Sequence, residues 1–493
     1  MSKVTHLQLL DLAGYSLEND SLKSNSHSAF YTRVETDSRK VNGSSVFFAL
    51  PGVASNGWDY LDAVVSLGCK LAVVPSYLAL QRDDIELISV ESPTALLVMC
   101  LQRYFGHMPE HIVAVTGTNG KSSICYYVAQ LAESMGFNSG LVGTFGVGPL
   151  QQLKEAKQTT PDVLSLQRIL MSMSSSGVNF VAFEASSHAL DQGRIDGVPF
   201  QTAVFSNLSR DHLDYHGDMM SYATAKQRLF AFNGLANAVI CLDDDYASFM
   251  ASVVTTSTCC YYSEQNTAAD FYVKQLTLGP EGSEFILCHP EGETSVFLPL
   301  LGRFNILNAL AALASLWHEV NDKHILIKAL SLLRGAPGRM DKLQHEGSPL
   351  VVVDYAHTPD ALQVALCALK EHSKGRLICV FGCGGDRDRG KRPLMMQAAL
   401  ENADYVWLTS DNPRTESIEQ IFSDVLLNTC VDENFRFEPD RRNAIQQAIL
   451  SADQHDVVLI AGKGHENYQE IQGIKHHFDD REEALRALER YVN

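Results

Sequence analysis

Between residues 112 and 123 an apolar run, Ile-Val-Ala-Val, passes into Thr116-Gly-Thr-Asn-Gly-Lys-Ser-Ser123 and then into a segment of helical period. Gly117 and Gly120 let the backbone curl until the N–H groups of Thr118, Asn119 and their neighbours face one anion. A helix opening at Ser122 and Ser123 adds its dipole, Lys121 can reach terminal phosphates, and the Ser122 hydroxyl can ligate magnesium. The match is to the shorter G-x-x-G-K-S form, with Val115 where the longer phosphate loop has glycine. A bare glycine turn beside a surface lysine would look similar, but the strand before and the helix after favour a nucleotide. Glu184 closes a second apolar run at its carboxyl end, where α/β sheets place ligands. Beside Ser122 it suits a magnesium ligand, because a hard cation prefers oxygen donors.

A second concentration of chemistry lies near the end of the chain. Three polar or glycine-rich loops, at 382–387, 411–414 and 462–466, each follow an apolar run. Their convergence would form a pocket at a sheet's carboxyl edge. It would offer Arg387 and Arg414 as cations, with Asp411 and Glu466 as anions. Loops bridged only to one another are the plainer reading; a ligand bearing both carboxylates and ammonium groups would satisfy all four. Other residues say less on their own. His212, with His216 four residues on, sits in a turn-rich segment where no Cys or Glu completes a zinc set. Lys226, on a plausible helix, reads as one more surface lysine, and Asn308, on an apolar helix, as a core amide. Arg339 reads as a linker arginine and Asp354 as a strand-end acid.

The elements that must position these groups are short continuous apolar runs alternating with helical-period segments. The runs fall at 112–116, 178–184, 203–207, 238–242, 350–354, 377–382, 405–410 and 457–462. Such runs read as strands buried on both faces, hence parallel sheets in α/β layers. Before residue 108 the pattern changes, with a Ser/Asn-rich stretch at 21–28, a turn at Asn42-Gly43 and a loop at 51–59. A second break falls at 334–339, around Gly335, Pro337 and Gly338. Three domains are expected. They are a small N-terminal α/β domain (1–108) for substrate, a central mostly parallel ATPase-like sheet domain (109–336), and a C-terminal Rossmann-like amino-acid domain (337–493).

Composition narrows the class. The 493 residues carry 39 basic and 58 acidic side chains, a formal charge of −19. That field repels nucleic acid and acidic membranes, so an anionic substrate needs a locally basic pocket. No apolar run reaches 18 residues, and no apolar core follows the first few residues, so neither a membrane span nor a secretory signal is expected. Eleven scattered cysteines without a CxxC pair fit small buried hydrophobes in a reducing cytoplasm. The expected partners are small molecules, and the expected state is a cytoplasmic monomer.

Thr116-Gly-Thr-Asn-Gly-Lys-Ser122 is similar to the nucleotide loop of the Mur ligases, which build the peptide of bacterial cell-wall precursors. That motif alone fits folylpolyglutamate and cyanophycin synthetases too. Thr159-Thr-Pro-Asp162, Glu184-Ala-Ser-Ser-His188, Asn207-Leu-Ser-Arg-Asp-His-Leu-Asp214 and Gly302-Arg-Phe-Asn-Ile-Leu-Asn308 resemble the Mur pattern in order and spacing. So do Asp354-Tyr-Ala-His-Thr-Pro359, Gly382-Cys-Gly-Gly-Asp-Arg387, Asp411-Asn-Pro-Arg414 and Gly462-Lys-Gly-His-Glu466. The resemblance spans essentially the whole chain and is weakest in the first 110 residues.

It implies an ATP-dependent amide ligase working through an acyl phosphate, with Lys121, Glu184, His212 and Lys226 as the catalytic set. A UDP-N-acetylmuramoyl-dipeptide carboxylate would attack the γ-phosphorus, and an amino acid's amine would then displace phosphate. By the same resemblance, magnesium is held by Ser122 and Glu184, His212 helps hold a second ion, and Lys226 is carbamylated to N6-carboxylysine, a further ligand. Asn308 would lie beside the adenine, while Arg339, Asp354 and His357 complete the ATP site. Ser38 and Asn56 would contact the uridine diphosphate, and Thr159, Thr160, Ser186 and Arg194 the muramoyl-peptide. Arg387, Asp411, Asn412, Pro413, Arg414, Gly462 and Glu466 would take the amino acid. Asp-Asn-Pro-Arg resembles the version that selects meso-diaminopimelate, because lysine lacks the distal carboxylate and would leave Arg414 unpaired. L-Lysine addition is the alternative within the family. A P-loop kinase or motor would explain residues 112–123 but give the mixed-charge pocket no role. A nucleotide-binding module without chemistry would leave Glu184, His212 and Lys226 idle as a metal set.

Overall fold

The computed structural model describes the whole chain except residues 1–2, 15–29, 53–54, 157, 256–257, 428, 430–432 and 493. The Ser/Asn-rich stretch at 21–28 lies outside the described residues. The chain is α/β, with three largely or wholly parallel sheets in succession. The first has four parallel strands in chain order, Arg33–Glu35, Ser45–Phe48, Leu71–Pro75 and Glu86–Val90. The helix Pro93–Tyr104 covers one face, capped by the Ser92 hydroxyl, which accepts from Ala95 N, and started by Pro93 in its first turn.

The central sheet has seven strands. Across it run Thr258–Tyr262, Asn237–Cys241, Thr202–Phe205, His111–Thr116, Phe180–Glu184, Ser139–Gly143 and Gly146–Pro149, and only the last is antiparallel. Ile112, Val113, Ala114 and Val115 are buried on both faces, as an apolar run flanked by helix layers must be. His111–Thr116 lies between Phe180–Glu184 and Thr202–Phe205. Its carboxyl end is therefore a switch point where connections leave in opposite directions and a crevice opens. The helices Lys121–Ser134 and Arg303–Leu316 share the core on one face.

A three-stranded antiparallel sheet, Tyr272–Gly279, Gly282–His289 and Gly292–Leu298, adjoins that layer. None of the eight expected runs falls in this sheet, whose buried positions are interrupted by exposed ones at Lys274, Glu284, Ser295 and Phe297. The last sheet runs Asp341–Leu343, Leu350–Asp354, Val457–Ala461, Leu377–Phe381, Tyr405–Leu408 and Phe435–Phe437, antiparallel only at the first pair. All eight expected apolar runs are strands of the central or last sheet, within a few residues at each end. Among the described residues no helix is long and apolar enough to cross a membrane. The ten described cysteines are all free, eight of them buried.

Candidate active site

The phosphate loop is built as its residues require. Gly117 (φ +152°) and Gly120 (φ +85°) adopt backbone that a side chain would strain. A Cβ on Gly117 would fall 1.9 Å from Ser206 Oγ, so the glycine is needed for close approach as well. The segment that follows Thr202–Phe205 braces the loop and takes up two N–H groups expected to face the anion: Thr118 N donates to Asn207 O (2.8 Å), Asn119 N to Asn207 Oδ1 (2.9 Å) and Ser206 Oγ to Asn119 O (2.6 Å). Lys121 Nζ folds back onto Gly117 O and Thr118 O at 2.9 and 2.7 Å. The helix it opens, Lys121–Ser134, directs its amino end into the same crevice.

Lys226 corrects the surface reading. Its helix, Met219–Gln227, turns it inward until it is 1% exposed, and its Nζ donates to the same Gly117 O at 2.6 Å. The Tyr222 ring lies 4.5 Å from that nitrogen. Burial, followed by the nearby Lys121 ammonium, holds the Lys226 amine well below the ordinary lysine range. Burial lowers Lys121 as well, against the opposing pull of Glu184 and Asp211.

Glu184, 2% exposed, accepts from Ser122 Oγ at 2.8 Å on Oε2 and from Thr144 N at 2.6 Å on Oε1. Two oxygen donors of that kind suit a hard divalent cation, so the residues fit a magnesium ion there. Around this carboxylate the structure gathers the expected muramoyl-peptide residues. Thr160 Oγ1 donates to Glu184 O (2.8 Å), Ser186 N to Thr160 Oγ1 (3.3 Å), and Arg194 Nη1 to Thr160 O (3.3 Å). Thr159 Oγ1 stands 3.4 Å from Thr144 Oγ1. His212 departs from this cluster. At φ +52° its ring meets His188 edge-on at 4.9 Å, and its Nε2 lies 3.4 Å from Asp211 Oδ2. Among the described residues no three His, Cys, Asp or Glu side chains are arranged to hold a metal. The expected ligands therefore divide, with Ser122 and Glu184 in contact, Lys226 beneath the loop and His212 at its rim.

The remaining residues expected at the nucleotide come from separate elements. Asn308 is buried on its helix, its Oδ1 only 2.6 Å from where a Gly120 Cβ would stand, so its amide packs on the phosphate loop. Arg339 lies over the Tyr355 ring at 4.6 Å. Asp354 accepts from Met340 N (2.7 Å) and Ala356 N (2.8 Å), and burial, partly offset by Arg339, raises its carboxyl. His357, bonded through Nδ1 to Tyr355 O at 2.9 Å, is lowered chiefly by burial. In the first sheet, Ser38 opens the short helix Ser38–Lys40 after one strand, and Asn56 caps Gly57–Tyr60 after the next. They therefore stand on adjacent loops.

The last sheet brings its three loops together. Arg414 (φ +52°) donates from Nη1 to Gly385 O at 2.7 Å, and its Nε is 3.7 Å from Glu470 Oε2. Arg387 is exposed beside Gly384, which Arg414 also borders. Asn412 Nδ2 donates to Glu466 Oε2 at 2.9 Å. Gly462 (φ +117°) packs against Asp411, and the Pro413 carbonyl fills the space a Gly385 Cβ would need.

Sequence reading did not assign the buried cations beneath these loops. Arg392 donates to Glu416, Asp424 and Gly384 O. Arg441 pairs with Asp480 and also reaches Ser410 O and Ala461 O, the roots of two of the loops. Lys463 reaches Asn412 and Asp411. Their partners are mostly distant in sequence, so spacing alone carries little sign of them. Thr144, Gln158 and Gln192 around Glu184 and Arg194 were likewise unassigned.

Comparison with known proteins agrees with this geometry. Residues 115–316 match the Mur ligase middle domain and residues 338–464 the Mur ligase glutamate ligase domain. The chain is 44% identical over 456 residues to the UDP-N-acetylmuramoyl-L-alanyl-D-glutamate--2,6-diaminopimelate ligase of Pseudomonas aeruginosa, covering 92% of this chain and 94% of that one. It is 40% identical to the enzyme of the same name from Coxiella burnetii, over 98% and 99% of the two chains. A solved structure of a ligase of that name superposes with a TM-score of 0.78 at 38% identity over the full length of both chains. The MurF ligase of Thermotoga maritima in complex with ADP shares the fold, with a TM-score of 0.58 at 17% identity over 93% and 97%. A phosphate loop braced by its neighbouring strand, a buried lysine beneath it and a mixed-charge pocket on the last sheet thus occur together in a chain that belongs to the Mur ligase family.

Proposed function

We propose that this ATP-dependent ligase joins meso-diaminopimelate to UDP-N-acetylmuramoyl-L-alanyl-D-glutamate, giving the tripeptide precursor, ADP and phosphate. The observation that carries the choice of amino acid is the loop cluster in which Arg387 and Arg414 stand with Asp411 and Glu466. Guanidinium groups suit carboxylates, and the acids suit ammonium groups. The three-domain division at 108 and 336 belongs to the same reading, as does work as a monomer in the cytoplasm. The free cysteines suit a reducing compartment, and sedimentation checks the monomer.

In this reading ATP lies on the loop Gly117–Ser123, with Asn308 beside the base and Arg339, Asp354 and His357 closing over it. The dipeptide's uridine diphosphate meets Ser38 and Asn56, and its peptide meets Thr159, Thr160, Ser186 and Arg194. The terminal carboxylate of the dipeptide attacks the γ-phosphorus and displaces ADP, leaving an acyl phosphate, while Lys121 neutralises charge spread over the transferring group. Ser122 and Glu184 would hold a magnesium ion, which supplies further neutralisation when bound. Lys226 is the carbamylation site: its buried, readily neutral amine would take up carbon dioxide and become an anionic ligand beside the loop, with His212 supporting it. The amine of diaminopimelate, held by the third domain, then attacks the acyl carbon and phosphate leaves. Closure keeps water from the acyl phosphate and holds the reactants in register.

Phosphate release from ATP, measured with the muramoyl-dipeptide and a panel of amino acids, tests the proposal. Release should require both acceptors and be fastest with meso-diaminopimelate. A preference for L-lysine sinks the choice of amino acid, and release independent of the muramoyl substrate sinks the activity.

A further inference from the structure

The pocket's own lysine has no part in the chemistry of that reaction. Lys463 sits between Gly462 and Gly464 at the carboxyl end of Val457–Ala461 and is fully buried. Its Nζ is 3.0 Å from Asn412 Oδ1, 3.5 Å from Asp411 Oδ1 and 3.7 Å from Glu466 Oε2. The Tyr468 ring centre lies 5.6 Å away. Three oxygens and an aromatic face make the kind of shell that an ammonium ligand seeks. Here the chain's own ammonium already sits in it. The two carboxylates offered to the incoming amino acid are therefore compensated from below before any ligand arrives.

That compensation bears on which ligand fits. Diaminopimelate carries two ammonium groups and two carboxylates, whereas lysine carries two and one. Without Lys463, Asp411 and Glu466 would keep only the more distant Arg441 charge and face the ligand without a directly paired cation, an environment that suits the ligand richer in positive charge. With it, the excess ammonium of lysine gains less, while Arg387 and Arg414 still seek carboxylates. Arg392 and Arg441 lie deeper and close ion pairs of their own with Glu416, Asp424 and Asp480. The Arg441 charge also reaches Asp411 and Glu466, but Lys463 is the cation that pairs with both directly.

We propose that Lys463 is a specificity-determining residue: by compensating Asp411 and Glu466 it keeps the pocket selective for a diamino dicarboxylate over a diamino monocarboxylate. This rests on the amino-acid pocket assigned above.

The test is the ratio of kcat/KM for meso-diaminopimelate to that for L-lysine, read by phosphate release with the full chain, ATP and the muramoyl-dipeptide. Lys463→Met should lower the ratio about tenfold, the low end of what one hydrogen bond to a charged group is worth. Lys463→Arg, which keeps the charge, should stay near wild type, and the KM for ATP should hold in both. A ratio unchanged in Lys463→Met, or an equal fall in Lys463→Arg, overturns the inference. Glu470→Gln provides an independent arm should Lys463→Met fail to fold. It removes a negative charge beside Arg414 and should move the ratio the other way, toward diaminopimelate; a shift toward lysine, or none, counts against the proposal. If wild type accepts neither amino acid, the underlying reading fails; if it prefers diaminopimelate and the variants do not shift, only the role of Lys463 fails.

Discussion

Two lysines converge on one carbonyl: Gly117 O accepts from both Lys121 and Lys226. Only one of them was legible as functional in the sequence. Lys121 follows a glycine turn whose spacing dictates phosphate binding, whereas Lys226 lies 109 residues from Gly117 and reveals itself only through burial. Its lowered amine supports a prediction. Carbon dioxide reacts only with the unprotonated amine, so activity in carbonate-depleted buffer should fall as pH falls and recover on adding bicarbonate. Lys226→Met should lose at least about a hundredfold in kcat and gain nothing from bicarbonate; a variant that keeps its activity removes Lys226 from the mechanism. Arg414 gives a second prediction at this scale. Its guanidinium borders the pocket without touching the phosphate loop, so Arg414→Ala should raise the KM for diaminopimelate far more than that for ATP. Equal changes in both constants would mean that the loop had merely collapsed. Arg414 was legible because Asp-Asn-Pro-Arg is contiguous, while Lys463 was not, because Asp411 and Asn412 lie about fifty residues away from it.

The same distinction between local and distant information governs the elements. The strands of the central and last sheets were legible because each is a short apolar run buried on both faces, as at Leu350–Asp354 and Val457–Ala461. The antiparallel strands between Tyr272 and Leu298 were passed over: Val273, Phe285, Val296 and Leu298 are buried, but each stands beside an exposed residue. What fixes the pocket's loops to their strands is a pair of elements far apart in sequence. The helices Arg441–Leu450 and Asp480–Val492 are joined at their amino ends by the Arg441–Asp480 pair, whose side chains are wholly buried. Removing one partner strands a buried charge and costs about 3–5 kcal/mol. Arg441→Met should therefore lower the unfolding midpoint in denaturant and raise the KM for the amino acid, because Ser410 O and Ala461 O lose their donor. The double variant Arg441→Met, Asp480→Leu should recover most of the stability but not the KM. Recovery of both would reduce the pair to a stability element.

At the scale of the whole molecule, a chain of charge −19 must assemble a site for anionic substrates from cations on separate sheets, and one close contact lies where they meet. Gly338, in the segment leading from the central to the last sheet, has φ +64°, and a Cβ there would lie 2.2 Å from Gly464 C and His465 N. The next residue is Arg339, assigned to ATP, and two beyond Gly464 is Glu466, assigned to the amino acid. Phe145, which follows Thr144 on the Glu184 side, meets His465 edge-on at 5.6 Å. A side chain at Gly338 must displace the Gly464–His465 backbone, and with it the amino-acid loop that meets Phe145 on the phosphate side. Gly338→Ala should leave acyl-phosphate formation, trapped with hydroxylamine, within a few-fold of wild type while lowering amide formation at least about tenfold, because misplacement near 1 Å is costly to a positioned attack. Equal loss of both steps would mean that the substitution disturbs Arg339 and the nucleotide, and full retention of both would show that the contact between Gly338 and Gly464 does not set the approach of amine to acyl phosphate.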